Sequence, residues 1–176
     1  MEIVRLRMKY HEMDVEQVVN PRGLTTSDLI TYIVKKHHVF GRNVIEKIRH
    51  LMSEMDHSLP QFAEFEDKAE AFFTELLDHF DDEEVHVFPQ VFEAVEQRGE
   101  RSPSPKHKMM IMKVEKDHVR AETQMKFLID MSNSIGLPAQ VVSDAFRELE
   151  EDLEVHMELE QQELHRRVRM IYQLSP

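Results

Sequence analysis

Residues 62–87 read FAEFEDKAEAFFTELLDHFDDEEVHV, and their apolar positions Phe62, Phe65, Ala69, Phe72 and Leu76 recur at steps of three and four. That spacing marks one face of an α-helix, sustained long enough to line the interior of a bundle. The same stripe continues through His79, Glu83 and Val87. Two ionisable side chains thus fall where the pattern places core residues.

Three further stripes flank this one. Upstream, the turn signal Asn20-Pro21-Arg22-Gly23 precedes Thr25-Thr26-Ser27-Asp28, a cluster of helix N-cap residues, and then Ile30, Val34, His38, Gly41, Ile45, Ile48, Met52 and Met55. Ser58-Leu59-Pro60 interrupts the pattern before the second helix. Pro89 is expected to kink or end that helix, with its last turns reaching about Arg98 and a loop over Gly99 to Pro105. The third stripe is Ile111, Val114, His118, Ala121, Met125, Leu128; a turn over Asn133 to Pro138 leads to the fourth, Val142, Ala145, Leu149, Leu153, His156, Glu160, Leu164. The expected fold is all-α, an antiparallel up-down-up-down four-helix bundle over residues 25–173, with residues 1–24 an N-terminal appendage of unassigned structure.

Composition narrows the chemistry. With 22 Lys+Arg against 34 Asp+Glu the net charge is −12, which opposes a phosphate backbone and argues against nucleic acid as a partner. The absence of cysteine excludes disulfides, thiolate metal sites, iron–sulfur ligation and cysteine nucleophiles, so any metal must be held by nitrogen and oxygen. No apolar run approaches the roughly 18 residues of a membrane span, and Met1 to Tyr10 alternates charge with aliphatics instead of forming a secretory signal. A cytoplasmic protein is expected.

The histidines carry the functional signal. A His-x-x-x-Glu pair places a nitrogen and a carboxylate one helical turn apart on the same face. Four such pairs occur where chance would give about one or two: His50/Glu54, His79/Glu83, His118/Glu122 and His156/Glu160. His50 lies 12 residues beyond His38, rotated about 120° from the stripe and displaced about 18 Å, which assigns its pair to a solvated face. The other three contain stripe histidines. Counting from the connecting turns, His38 and His79 are each about 30 Å from the first turn and should face each other, and His118 and His156 lie within about 4 Å of one level. A set of merely hydrogen-bonded buried histidines would concentrate desolvation cost at one level without packing gain, whereas two iron or manganese ions would neutralise it.

At this point the sequence resembles the hemerythrin-like (HHE cation-binding) domain, and within it the RIC (repair of iron centres) di-iron proteins, from about Ser27 to Glu163. The resemblance rests on Leu29-Ile30-Thr31-Tyr32-Ile33-Val34-Lys35-Lys36-His37-His38, on His79-Phe80-Asp81-Asp82-Glu83-Glu84 followed by Phe88-Pro89, on His118 preceded by an acidic residue, and on His156-Met157-Glu158-Leu159-Glu160-Gln161. It implies two non-haem iron ions held by His38, His79, His118 and His156, with Glu83 and Glu160 as bridging carboxylates, an oxo bridge being compatible with such a centre. Glu122 is a further candidate ligand, standing where oxygen-carrying hemerythrins have another histidine. His57 falls where RIC proteins tend to have a ligand, but a straight helix puts it nearly 30 Å from the others. The chain departs from RIC proteins in having no paired-cysteine motif, and Leu164-His165-Arg166-Arg167 replaces the family's second Phe-Pro pair.

Of the remaining histidines, His37 is rotated about 100° from His38 and suits a role behind the ligands or between helices. His11, His86, His107 and His165 have no convergent partners, and Met52, Met55, Met110, Met125, Phe72, Phe73 and Phe80 read as core filler. Tyr10, Tyr32 and Tyr172 read as packing residues.

The expected function is a di-iron protein handling iron or a small oxidant, nitric oxide, peroxide or oxygen, in stress response or iron-centre repair, with a protein client as a further partner. Whether it turns over is open: the alternatives are a metal- or gas-sensing module and a metal-free helical interaction domain. Glu83, Glu160 and Glu122 are expected to raise one another's pKa in the core, so that metal removal destabilises the fold and acid relieves the repulsion.

Overall fold

The computed structural model describes residues 14–17, 20–59, 61–96, 105–136 and 139–172, and within them the chain forms four long antiparallel helices and no strand. The first, α1 (26–53), comprises Thr26–Tyr32, a π-helical segment Ile33–His38 and Val39–Ser53. The second, α2 (62–96), comprises Phe62–Asp82, a π-helical segment Glu83–Val87 and Phe88–Glu96. Helix α3 is Pro105–Ile135, and α4 (140–172) comprises Gln140–Leu159, a π-helical segment Glu160–His165 and Arg166–Tyr172. Single helical turns at Val15–Gln17 and Pro21–Gly23 precede them. Residues 1–13 of the expected appendage, most of the expected loop at 99–105, and Pro60, Leu137 and Pro138 lie outside the described residues, as do His11 and the side chains of His107 and Tyr172.

The helix boundaries follow from local chemistry. Thr25 caps α1: its hydroxyl oxygen accepts from the Asp28 amide at 3.2 Å, and the hydroxyl donates to the Asp28 carboxylate at 2.7 Å. Gly136, just past α3, has φ +93°, a left-handed conformation that glycine adopts without steric cost. Of the two outcomes expected at Pro89, the second helix does not end there but runs on to Glu96. Pro89 sits just behind a π segment, where the bonding register already shifts by one residue, so its missing N–H costs less than in an α-helical interior.

Helix α1 packs chiefly on α4, α4 on α3, and α3 on α2. All four stripes face inward and build two separate apolar clusters. One lies toward the α1/α2 and α3/α4 turns and includes Ile45, Ile48, Phe65, Phe73, Phe146 and Leu149. The other, toward the opposite end, includes Leu29, Ile33, Phe88, Ile111, Leu164 and Val168. The histidine level of each stripe lies between them in sequence, so the bundle encloses a polar layer between two apolar ones. Each π segment starts or ends in that layer: His38 closes the first, Glu83 opens the second, Glu160 opens the third. An i→i+5 turn inserts one residue and re-aims the side chains beside it, and such turns recur at functional sites.

Candidate metal centre

The six side chains His38, His79, Glu83, His118, His156 and Glu160 converge in the polar layer. Their donor atoms form two sets, each mutually within 4.8 Å: His38, Glu83, His156 and Glu160 in one, His79, Glu83 and His118 in the other. Glu83 belongs to both. Its Oε2 lies 3.4 Å from His38 Nε2 and 4.0 Å from His156 Nε2, while its Oε1 lies 3.1 Å from His79 Nε2 and 3.7 Å from His118 Nε2. Glu160 divides likewise, Oε1 at 3.2 Å from His156 Nε2 and Oε2 at 3.1 Å from His118 Nε2. The pairing differs from the expected one in a single respect: His38 faces His156, with ring centroids 4.9 Å apart, and shares only Glu83 with His79. The tight α1–α4 packing brings these two rings together.

Five of the six side chains are essentially inaccessible to solvent. His79 keeps 12% of its side-chain exposure and lines a cleft of about 230 Å³ between α2 and α3, together with Phe72, Asp78, Asp82, Lys113 and Asp117. Of the six, His79 alone lines this cleft.

Several buried polar atoms in the layer have no hydrogen-bond partner: Nε2 of His79 and His118, both oxygens of Glu83 and Oε2 of Glu160. Orphaned donors and acceptors at such depth are costly unless something satisfies them. A cation bound by nitrogen and carboxylate oxygen would do so, and the mixed set suits iron better than magnesium or calcium. The residues present therefore fit a metal.

Protons substitute for that cation in part. Burial pulls His38 down, yet the Glu83 carboxylate beside it and its hydrogen bond to Glu84 outweigh this and hold the ring at about 9. His118, opposed by burial but paired with Glu160 and Glu83, is held at about 10, and His79 is raised by Glu83 against the same opposition. His156 goes the other way, because its burial dominates. The expected elevation of Glu160 by Glu83 is present but outweighed. Burial and Glu83 push Glu160 up, but His156 and His118 bring it to about 2, and the histidines around Glu83 hold it well below the ordinary range.

Behind the six stand residues that stripe reading left without a role. Glu84 accepts from His38 Nδ1 at 2.9 Å, Gln161 approaches His118 Nδ1 at 3.4 Å, and Asp152 pairs with His37 Nδ1 at 3.0 Å. His37, buried, stacks on His156 with centroids 5.7 Å apart, which is the supporting position expected for it. Glu84 and Asp152 lie off the apolar stripes, and no periodic signal distinguishes them from other surface carboxylates.

Glu122, the further candidate ligand one turn beyond His118, is exposed on α3 and belongs to neither donor set. On regular α-helix the i+4 position is turned about 40° past the inward-facing His118, and Ala121 and Met125 take the inward positions instead. His57 lies in the α1/α2 turn, exposed, against the Phe62 ring and 3.9 Å from Glu66, and joins neither set. His50 is exposed on α1, His86 is exposed and 3.0 Å from Asp82, and His165 is buried 3.9 Å from Glu115. Tyr32 packs edge-on to His37, whereas Phe80, expected as filler, stacks on His38 at 4.5 Å.

Four antiparallel helices that each direct an imidazole, two of them with a carboxylate one turn on, into one largely buried layer define a metal-binding helical bundle. The chain belongs to the hemerythrin HHE cation-binding domain family, whose model matches residues 29–168. No curated protein and no solved structure matches it. Among the described residues no helix is long and apolar enough to cross a membrane.

Proposed function

We propose that this protein is a non-haem di-iron protein of the hemerythrin-like, RIC-like type, acting in the cytoplasm on iron or on a small oxidant such as nitric oxide, peroxide or oxygen during stress or iron-centre repair. The observation that carries the reading is the division of both carboxylates, each with one oxygen toward His156 or His38 and the other toward His118 or His79. In this reading His38 and His156 hold one ion, His79 and His118 the other, and Glu83 and Glu160 bridge them. Iron there would supply one-electron chemistry and an exchangeable position, since six protein donors do not saturate two six-coordinate ions. The protein's own part is to exclude bulk water with its two apolar clusters, to fix the imidazoles, and to admit small molecules along the cleft beside His79.

Metal analysis and the visible spectrum of protein purified without an affinity tag test the reading. Close to two irons per chain with a charge-transfer band is the expected result; a colourless protein that takes up no iron on reconstitution overturns it. A sensing role without turnover draws on the position of the layer between the two clusters, which ties occupancy to bundle stability. Consumption of nitric oxide or peroxide by the iron-loaded protein separates the two.

A further inference from the structure

The four histidines differ in what stands behind them. Of these four, as far as the described residues show, His38 alone has a carboxylate on its outer nitrogen: Nδ1–H donates to Glu84 at 2.9 Å. His118 has the Gln161 amide there at 3.4 Å, and Nδ1 of His156 is buried without a hydrogen-bond partner. Glu84 is itself anchored, since Arg42 donates to it at 2.9 Å and to Asp81 at 2.8 Å, and the Arg42 guanidinium lies over the Phe80 ring. The imidazole is clamped as well. Phe80 stacks on it at 4.5 Å and 16°, and Phe88 at 5.7 Å and 24°. With two phenyl rings stacked on it and Nδ1–H engaged, the imidazole leaves Nε2 beside Glu83 and His156, 3.4 and 3.2 Å away.

From this arrangement we infer that Glu84 is a positioning residue that makes the His38/His156 half of the centre the tighter-binding of the two. The inference rests on the metal reading above. A carboxylate on the outer nitrogen fixes the tautomer, holds the ring in its plane and makes the inner nitrogen a better donor, and loss of such a partner typically weakens metal binding 10- to 100-fold. The composition of the two sets points the same way. The His38 set has four fully buried donors, while the His79 set has three and is open to the cleft.

The test is titration of metal-free protein with cobalt(II), followed by its visible bands and by chelator competition, on wild type and on Glu84→Gln, Arg42→Gln, His38→Ala and His79→Ala. Wild type is expected to bind in two resolved steps, with His38→Ala removing the tighter and His79→Ala the weaker. Glu84→Gln should weaken the tighter step about 10- to 100-fold and leave the weaker within about twofold. Arg42→Gln should weaken the same step by less. Unchanged constants in Glu84→Gln, equal weakening of both steps, or an effect confined to the step that His79→Ala removes would each overturn the inference. Wild-type protein that binds no cobalt and no iron overturns the metal reading and this inference with it, whereas two-metal binding indifferent to Glu84 overturns this inference alone.

Discussion

Nε2 of His38 and Nε2 of His156 face each other 3.2 Å apart inside the bundle. Two imidazole lone pairs cannot meet at that distance without a proton or a cation between them. In the absence of metal the proton belongs to His38, held at about 9 by Glu83 and Glu84 against its burial, and His156, lowered by burial, accepts it. Metal uptake at this centre is therefore an exchange of cation for protons.

That exchange gives metal affinity a direction in pH. Ligand histidines must be deprotonated to bind. His38 and His118 release their protons only toward about pH 9 and 10 when no cation competes. Apparent affinity for a divalent cation should rise steadily from about pH 6.5 to 9, with net proton release on binding. Calorimetry in buffers of different ionisation enthalpy measures the released protons; affinity that is flat over this range would contradict the exchange.

The stability of metal-free protein should change with pH in the same window. His38 and His118 have folded-state values raised above the ordinary 6.5, so their contribution is fully present below about 6.5 and is lost as pH rises through about 9 and 10. On the acid side Glu83 and Glu160 are depressed, so their contribution is present above about 4.5 and is lost as pH falls toward about 2. Metal-loaded protein carries an added stabilisation of about 4 kcal/mol at a thousandfold excess over Kd. Denaturant melts from pH 6 to 9 should show the gap between the two forms widening with pH. A gap that narrows as pH rises would contradict the proton-for-metal account.

Glu83 belongs to both donor sets, His79 to one. Glu83→Ala is therefore expected to lose both ions, whereas His79→Ala should retain close to one, held by His38, Glu83, His156 and Glu160. Metal analysis after desalting distinguishes them, and equal retention by the two variants would argue against a shared carboxylate.

Gly41 of α1 lies against the Phe80 ring that stacks on His38. A Cβ there would lie 3.0 Å from Cε2 and Cζ of Phe80. Gly41→Ala should displace that ring and cost about 1–3 kcal/mol as overpacking, despite the better helix propensity of alanine. The visible spectrum of the metal-loaded variant should shift with it. A more stable variant with an unchanged spectrum would show that Phe80 yields without disturbing His38.

His57, His50 and Glu122 provide the complementary controls, being exposed and outside both sets. Alanine at each should leave metal content at the wild-type value and stability within about 0.5 kcal/mol. Loss of an ion on His57→Ala would mean that α1 breaks on metal binding to carry this residue some 30 Å, by ~1.5 Å per residue, to the layer.

The stripes at 30–55, 62–87, 111–128 and 142–164 encode which face of each helix is buried, because burial follows the 3.6-residue period directly. Four helices, their turns, and the inward placement of His38, His79, Glu83, His118, His156 and Glu160 were accordingly legible from residue order alone. Period carries no information about what crosses between helices. That His38 meets His156, and that Glu84 and Asp152 stand behind the imidazoles, depends on neighbours 46 to 118 residues away, and the histidine one turn before Glu83 and Glu160 is joined by His118 from another helix in bringing them down; only tertiary packing makes these contacts. The same holds for the three π segments and for Glu122. A one-residue shift in hydrogen-bond register leaves the stripe readable, and whether a side chain one turn along reaches the interior depends on the rotation of its helix against its partners.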